Sequence, residues 1–236
     1  MTQQTEIPDI AAECLGVKVP ASRFLHDKRI ERINAAEYEG LEMAGALHVV
    51  GEDDVVLEIG AGIGLVGAVI AANAKPRLVR SFEANPELIP AIEALYAANG
   101  LGDRISVHNK VLVSAPERPE SMTFHIHSSY LGSSLIEPEN RETRAVEVPT
   151  ASFQEVCADL KPTVLVMDIE GGERDILLHA DLSPFRAMVL EFHPNAYGVS
   201  GMRECKNVLR EAGFERVADK STRTVWTCVR ETAPAA

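Results

Sequence analysis

The chain has few aromatic residues, few cysteines, no excess of positive charge and no long apolar run, and each shortage argues against a class of function. Aromatics make up 5% of the 236 residues, so the stacking platforms that grip single-stranded bases are scarce. The 23 Lys and Arg are outnumbered by 35 Asp and Glu, for a net charge of −12. A binder of phosphate backbones needs the opposite balance, so no nucleic-acid partner is expected. Cys14, Cys157, Cys205 and Cys228 lie far apart and form no C-x-x-C pair. That spacing argues against a zinc cluster and for buried thiols in a reducing compartment. No apolar stretch approaches the roughly 20 residues of a membrane span. Residues 1–10 lack the basic-then-apolar pattern of a secretory signal. The expectation is a cytoplasmic protein that meets a small molecule and no membrane. Its oligomeric state is not legible.

What the chain does have is a run of closely spaced glycines. Residues 55–64 read V-V-L-E-I-G-A-G-I-G. Val55–Ile59 is short, β-branched and apolar, as in a buried parallel strand. Gly60, Gly62 and Gly64 let the backbone turn tightly and approach a ligand where a Cβ would clash. The Ala-rich stretch 64–73 predicts a helix whose first amides face that ligand. A second strand over 77–83 ends in Glu83, placed to meet a pair of ribose hydroxyls. Together these residues predict a nucleoside-containing cofactor at the carboxyl edge of a parallel sheet.

Two cofactors compete. Residues 62–67 also read G-x-G-x-x-G, and Glu83 follows Gly62 by 21 positions, which suits a dinucleotide such as NAD. Glu58 favours S-adenosylmethionine instead. A carboxylate beside the loop would repel a pyrophosphate but pair with the amino group of a methionine moiety. The bland reading of Glu58 is a helix-capping or loop carboxylate.

The segments V-L-E-I-G-A-G-I-G-L (56–65), F-E-A-N-P (82–86), V-L-V-M-D-I-E-G-G-E (164–173) and V-L-E-F-H-P (189–194) resemble the FkbM family of S-adenosylmethionine-dependent methyltransferases. The resemblance runs from about residue 38 to the C-terminus. D-x-E-G-x-E with E-x-H-P one strand later is its most specific part. Glu58 stands where many members carry Asp. The resemblance implies methyl transfer, mostly to hydroxyl groups of sugars or polyketides. It also implies an α/β class I methyltransferase (Rossmann-like) fold with a mostly parallel seven-stranded sheet and a C-terminal antiparallel hairpin. A nitrogen acceptor, a peptide or protein acceptor, and an NAD-binding oxidoreductase stay open as alternatives.

Periodicity fills in the rest. Residues 1–20 read as irregular, broken by Pro8 and Pro20, and 22–46 as one or two helices. These make residues 1–46 an N-terminal helical segment ahead of a methyltransferase domain over 47–236. Lys28, Arg29 and Arg32 read as a solvated helix face. Glu37, Tyr38 and Glu39 are candidates to line the cofactor pocket. Strands and helices alternate over 55–109, as in a parallel sheet. The stretch 111–149 reads as a β-rich insertion, with the polar loop 128–140 as a lid. A helix is predicted over 153–160, a fourth core strand over 163–168, a helix over 171–179 and a fifth strand over 187–192. A helix over 201–212 and a hairpin over 214–230 complete the chain.

The candidate chemistry lies at two strand ends. Ligands of open α/β sheets bind outside the carboxyl ends of the strands, so Asp168, Glu170, Glu191 and His193 should meet beside the glycine loop. A hydroxyl acceptor must lose its proton, and His193 is the candidate base, oriented by Glu191. Glu170 has a bland reading as a helix cap, and Glu173 as a charge near a helix N-terminus. The catalytic set is Asp168, Glu170 and His193. The cofactor set is Glu58, Gly60, Gly62, Gly64, Glu83, Asn109 and Asp168. A divalent ion held by D-x-E and E-x-H is a mechanistic alternative, with no metal ligands assigned. His125 and His127 share a strand face and read as exposed.

Overall fold

The computed structural model describes residues 9–127, 133–135 and 142–230. Most of the expected lid loop lies outside them. The chain opens with a hairpin, β1 (Ile10–Cys14) and β2 (Val17–Pro20), where irregular chain was expected. Its short strands alternate: Ala12, Cys14, Val17 and Val19 are buried. The turn uses Leu15 and Gly16, both at positive φ, which is the twist a tight hairpin needs. Leu-Gly lacks the Asn or Asp that usually marks such a turn, and strands of five and four residues are too short for periodicity to declare itself.

Helices α1 (Asp27–Asn34) and α2 (Gly40–Val49) follow as expected. Arg29 is buried and donates to the Phe24 carbonyl, so the basic cluster is not simply a solvated face. The alternating unit is β3 (Val55–Ile59), α3 (Leu65–Asn73), β4 (Leu78–Phe82), α4 (Ile89–Ala98) and β5 (Ile105–His108). Strands β6 (Val111–Val113), β7 (Ser121–His127) and β8 (Thr143–Ser152) form a separate three-stranded sheet, the β-rich insertion. Helix α5 (Phe153–Leu160) starts where the Ser152 hydroxyl accepts from the Glu155 amide, half of a capping box. Then come β9 (Val164–Met167), α6 (Glu173–His179), β10 (Ala187–Glu191) and α7 (Pro194–Glu211), kinked at Gly198. The hairpin β11 (Glu215–Arg216) and β12 (Val225–Val229) ends the sheet.

The seven strands lie in the order β11-β12-β10-β9-β3-β4-β5, and β12 runs antiparallel to its neighbours β10 and β11. β3 is central and fully buried, between β4 on one side and β9 on the other. The connections leave β3 in opposite directions, so a crevice opens at the carboxyl ends of β3 and β9. Val56 faces the layer of α2–α4, and Leu57 and Ile59 face that of α5–α7. No helix among the described residues is long and apolar enough to cross a membrane. All four cysteines are buried free thiols.

Candidate active site

The crevice holds a cavity of about 500 Å³. Its floor is the glycine loop. The Gly60 and Ala61 amides donate to the Phe82 carbonyl, and the Asp168 amide to the Ile59 carbonyl. These bonds knit the loops after β3, β4 and β9 together. Gly60 has φ +86°, and a Cβ there would lie 1.8 Å from the Asp168 carbonyl oxygen. Gly64 is pressed against Ile92 and does not line the cavity. Gly62 differs: its nearest neighbour would be Glu39 Oε1 at 3.5 Å, so its open side faces the cavity.

Glu83 braces this floor. Its carboxylate accepts from the Gly62 amide at 2.8 Å and the Asn85 amide at 2.7 Å. Burial pushes it up to about 7, against the amides of Asn85, Gly62 and Ala84. A carboxylate has about four lone-pair sites, so with three amides bonded at least one remains for a hydroxyl on a bound molecule. Asn109 lies behind, its Nδ2 donating to the Glu83 and Ala84 carbonyls at 2.8 and 3.0 Å. It shapes the loop and does not line the cavity. Asn85 does line it. It is 1% exposed, and its Nδ2 has no hydrogen-bond partner among the described residues. An acceptor atom on a nucleoside would complete it, so the residues present fit such a group. In the sequence Asn85 stands only within F-E-A-N-P and is assigned no role of its own.

Glu58 sits elsewhere. It shares a strand face with Val56, and so points into the helix layer. The Ser81 hydroxyl donates to its carboxylate, and so does the Gly67 amide in the first turn of α3. It caps a helix whose own N-cap, Gly64, has no side chain to offer. Burial pushes Glu58 up to about 7, against those two bonds. The folded protein therefore holds this proton more tightly than the unfolded chain. The resulting stability is full below the unfolded value near 4.5 and is lost as pH rises through about 7, by about 3 kcal/mol at most. Glu58→Gln should flatten the thermal stability profile between pH 5 and 8 and keep cofactor binding. Loss of binding in that variant would return Glu58 to the cofactor's amino group.

At the ends of β9 and β10, Asp168, Glu170 and His193 come together as expected. His193 Nε2 lies 3.6 Å from Asp168 Oδ1 and 3.8 Å from Glu170 Oε2. The orienting partner is Glu173, not Glu191. Glu173 is fully buried at the head of α6, bonded to His193 Nδ1 and accepting from the Gly171 amide. Glu191 instead faces Glu42 of α2. Burial opposes charge on His193, but Glu173, Asp168 and Glu170 outweigh it and raise its pKa. Burial and then Glu191 hold Asp168 well above the usual carboxylate range, with Glu42 and Glu170 adding to this and His193 opposing it. Asp168, Glu170 and Glu39 line the cavity; Glu37, Tyr38, His125 and His127 do not. The last acid of D-x-E-G-x-E is the sequence signal for Glu173. Nothing local signals Glu42.

With this geometry established, similarity decides the family. The Methyltransferase FkbM domain matches residues 58–216. The chain belongs to the FkbM methyltransferase family. Its members draw the methyl group from S-adenosylmethionine, so the FkbM fold here is the class I, Rossmann-like one and not a dinucleotide fold. No curated protein matches the chain. Among solved structures, it is similar to a ribosomal protein L11 methylase from Lactobacillus delbrueckii subsp. bulgaricus, at 14% identity and TM-score 0.49, covering 82% of this chain and 78% of that one. A precorrin-6y C5,15-methyltransferase from Geobacter metallireducens GS-15 shows 13% identity and TM-score 0.48, over 89% and 92% of the two chains. Neither bears on the acceptor of this FkbM protein.

Proposed function

We propose that this protein methylates a hydroxyl group of a small, sugar-like metabolite. The observation that carries the reading is the Asp168–Glu170–His193 cluster beside the glycine loop, locked from behind by Glu173. S-Adenosylmethionine, when bound, supplies a methyl group already activated by its sulfonium charge. The chain's own residues then have three tasks: to hold the donor, align the acceptor and remove its proton. Gly62, Glu83 and Asn85 hold the nucleoside. Burial and repulsion from neighbouring acids raise the pKa of Glu39 and Asp168, and a cationic donor placed beside them would relieve that repulsion and favour their ionised forms. Asp168, Glu170 and His193 receive the acceptor, and its proton leaves through them. Such a cluster suits an alcohol, whose oxygen is a weak nucleophile until deprotonated.

The same carboxylates also favour a second reading, a cationic amine as acceptor. The two separate experimentally, because an amine needs less help from a base. A panel of hydroxylated and aminated metabolites, incubated with methyl-labelled donor and read by mass spectrometry, tests the proposal. Label in an O-methyl product is expected. Label confined to amines would overturn the hydroxyl reading and leave methyl transfer intact.

A further inference from the structure

Glu42 and Glu191 have no task in that scheme. Glu42 is 6% exposed, and its carboxylate faces that of Glu191 beside Asp168 and His193. Neither Glu42 nor Glu191 has a Lys, Arg or His ion-pair partner among the described residues. Glu42 and Glu191 share a hydrogen bond that favours a proton on Glu42, and gathering half-buried acids in this way is costly unless such a proton or a cation joins them.

The donor atoms are already at ligand spacing. One atom each from Asp168, Glu191 and His193 lies within 4.8 Å of the others. Donors that share a divalent cation through bonds of about 2.1–2.5 Å can lie up to about 4–5 Å apart. The imidazole is also set up as a ligand. Buried Glu173 binds Nδ1, which leaves Nε2 presented to carboxylates that offer it no proton when ionised. Metal-bound histidines are held in this way, with the other ring nitrogen on a carboxylate. Two carboxylates and one imidazole suit magnesium or manganese better than a thiolate-loving ion.

We propose that Asp168, Glu191 and His193 bind one divalent cation, magnesium or manganese, which holds and acidifies the acceptor hydroxyl. The role in catalysis rests on the methyltransferase reading; cation binding itself does not. The hydroxyl oxygen coordinates the cation, and its proton leaves to solvent by way of Glu170, the cavity-lining acid of the cluster that is not a ligand. The oxygen lone pair then forms the bond to the methyl carbon as the carbon–sulfur bond breaks. That bond's electron pair goes to sulfur, and the products are a methyl ether and S-adenosylhomocysteine. His193 is then a ligand and not the proton acceptor.

The test is a manganese titration of the purified full chain without cofactor, followed by electron paramagnetic resonance. One site per chain is expected. Glu191→Gln and His193→Gln should each weaken it at least ~10-fold, and Glu173→Gln by ~10–100-fold, while Glu83→Ala binds as wild type. Melting curves confirm that each variant is folded. If the wild-type protein leaves the manganese signal unchanged, or if Glu191→Gln and His193→Gln bind as it does, the cation site is overturned. S-Adenosylhomocysteine calorimetry on the same preparations separates the two readings. Cofactor binding without manganese binding overturns only the cation. Manganese binding without cofactor binding supports the site and overturns the donor assignment.

Discussion

Replacing His193 by alanine should lower turnover on the true acceptor by ~10²–10⁴-fold, the range for losing a positioned group that promotes the acceptor's deprotonation, whether directly or as the ligand of an acidifying cation. Affinity for S-adenosylhomocysteine should stay nearly intact. The separation is positional. His193 lies past β10, where it meets Asp168 and Glu170, while the proposed donor site lies over the loops after β3 and β4, where Gly62, Glu83 and Asn85 line the cavity. Asp168→Asn should also lose turnover, with a larger effect on the donor because its residue lines the cavity. Steady-state rates with saturating donor, read beside calorimetric affinities, check both. Wild-type turnover in both variants would remove the cluster from the mechanism.

The largest effect on the fold should come from Gly60, and the contrast with Gly62 makes it informative. A Cβ on Gly60 would meet Asp168 backbone at 1.8 Å and 2.7 Å, at φ +86°. Backbone cannot swing aside as a flexible side chain can, so β3 and β9 would have to part. Gly60→Val is expected to be insoluble or to melt far below the wild type. Gly62→Ala should fold, at a cost of about 1–2 kcal/mol for its left-handed backbone, because its nearest neighbours, Glu39 Oε1 at 3.5 Å and Tyr38 Oη at 3.9 Å, are at ordinary contact distance. Its methyl group would instead intrude on the bound cofactor, so affinity should fall while melting changes little. Thermal melts and calorimetry on the two variants test this. Equal melting temperatures would contradict the reading of Gly60.

The contrast also shows which features were legible in the sequence. The course β3–loop–α3–β4 could be read because it is local: a β-branched run, three glycines and an Ala-rich helix follow one another. The terminal hairpin and the insertion were marked by alternation and turns. The phase of Glu58 is also local information. Val56 and Glu58 share a strand face, and Gly67 leaves room for a carboxylate against α3. Hairpin β1–β2 was too short for its alternation to stand out. The Glu173–His193 bond and the Glu42–Glu191 contact were out of reach for another reason. Each joins elements distant in the chain, α6 with the end of β10, and α2 with β10. Only the packing of the helices across the sheet brings them together.

The most direct test of the central claim is calorimetric titration of the purified chain with S-adenosylhomocysteine, run beside NAD and repeated on Glu83→Ala. The claim is that the cavity over the glycine loop is a methyl-donor site. One site per chain is expected, with a dissociation constant on the order of micromolar, or about −8 kcal/mol. NAD should give no binding heat. Glu83→Ala should weaken binding by about 1–3 kcal/mol, the scale of a lost charged hydrogen-bond partner. Tight NAD binding, with no response to S-adenosylhomocysteine, would contradict the account.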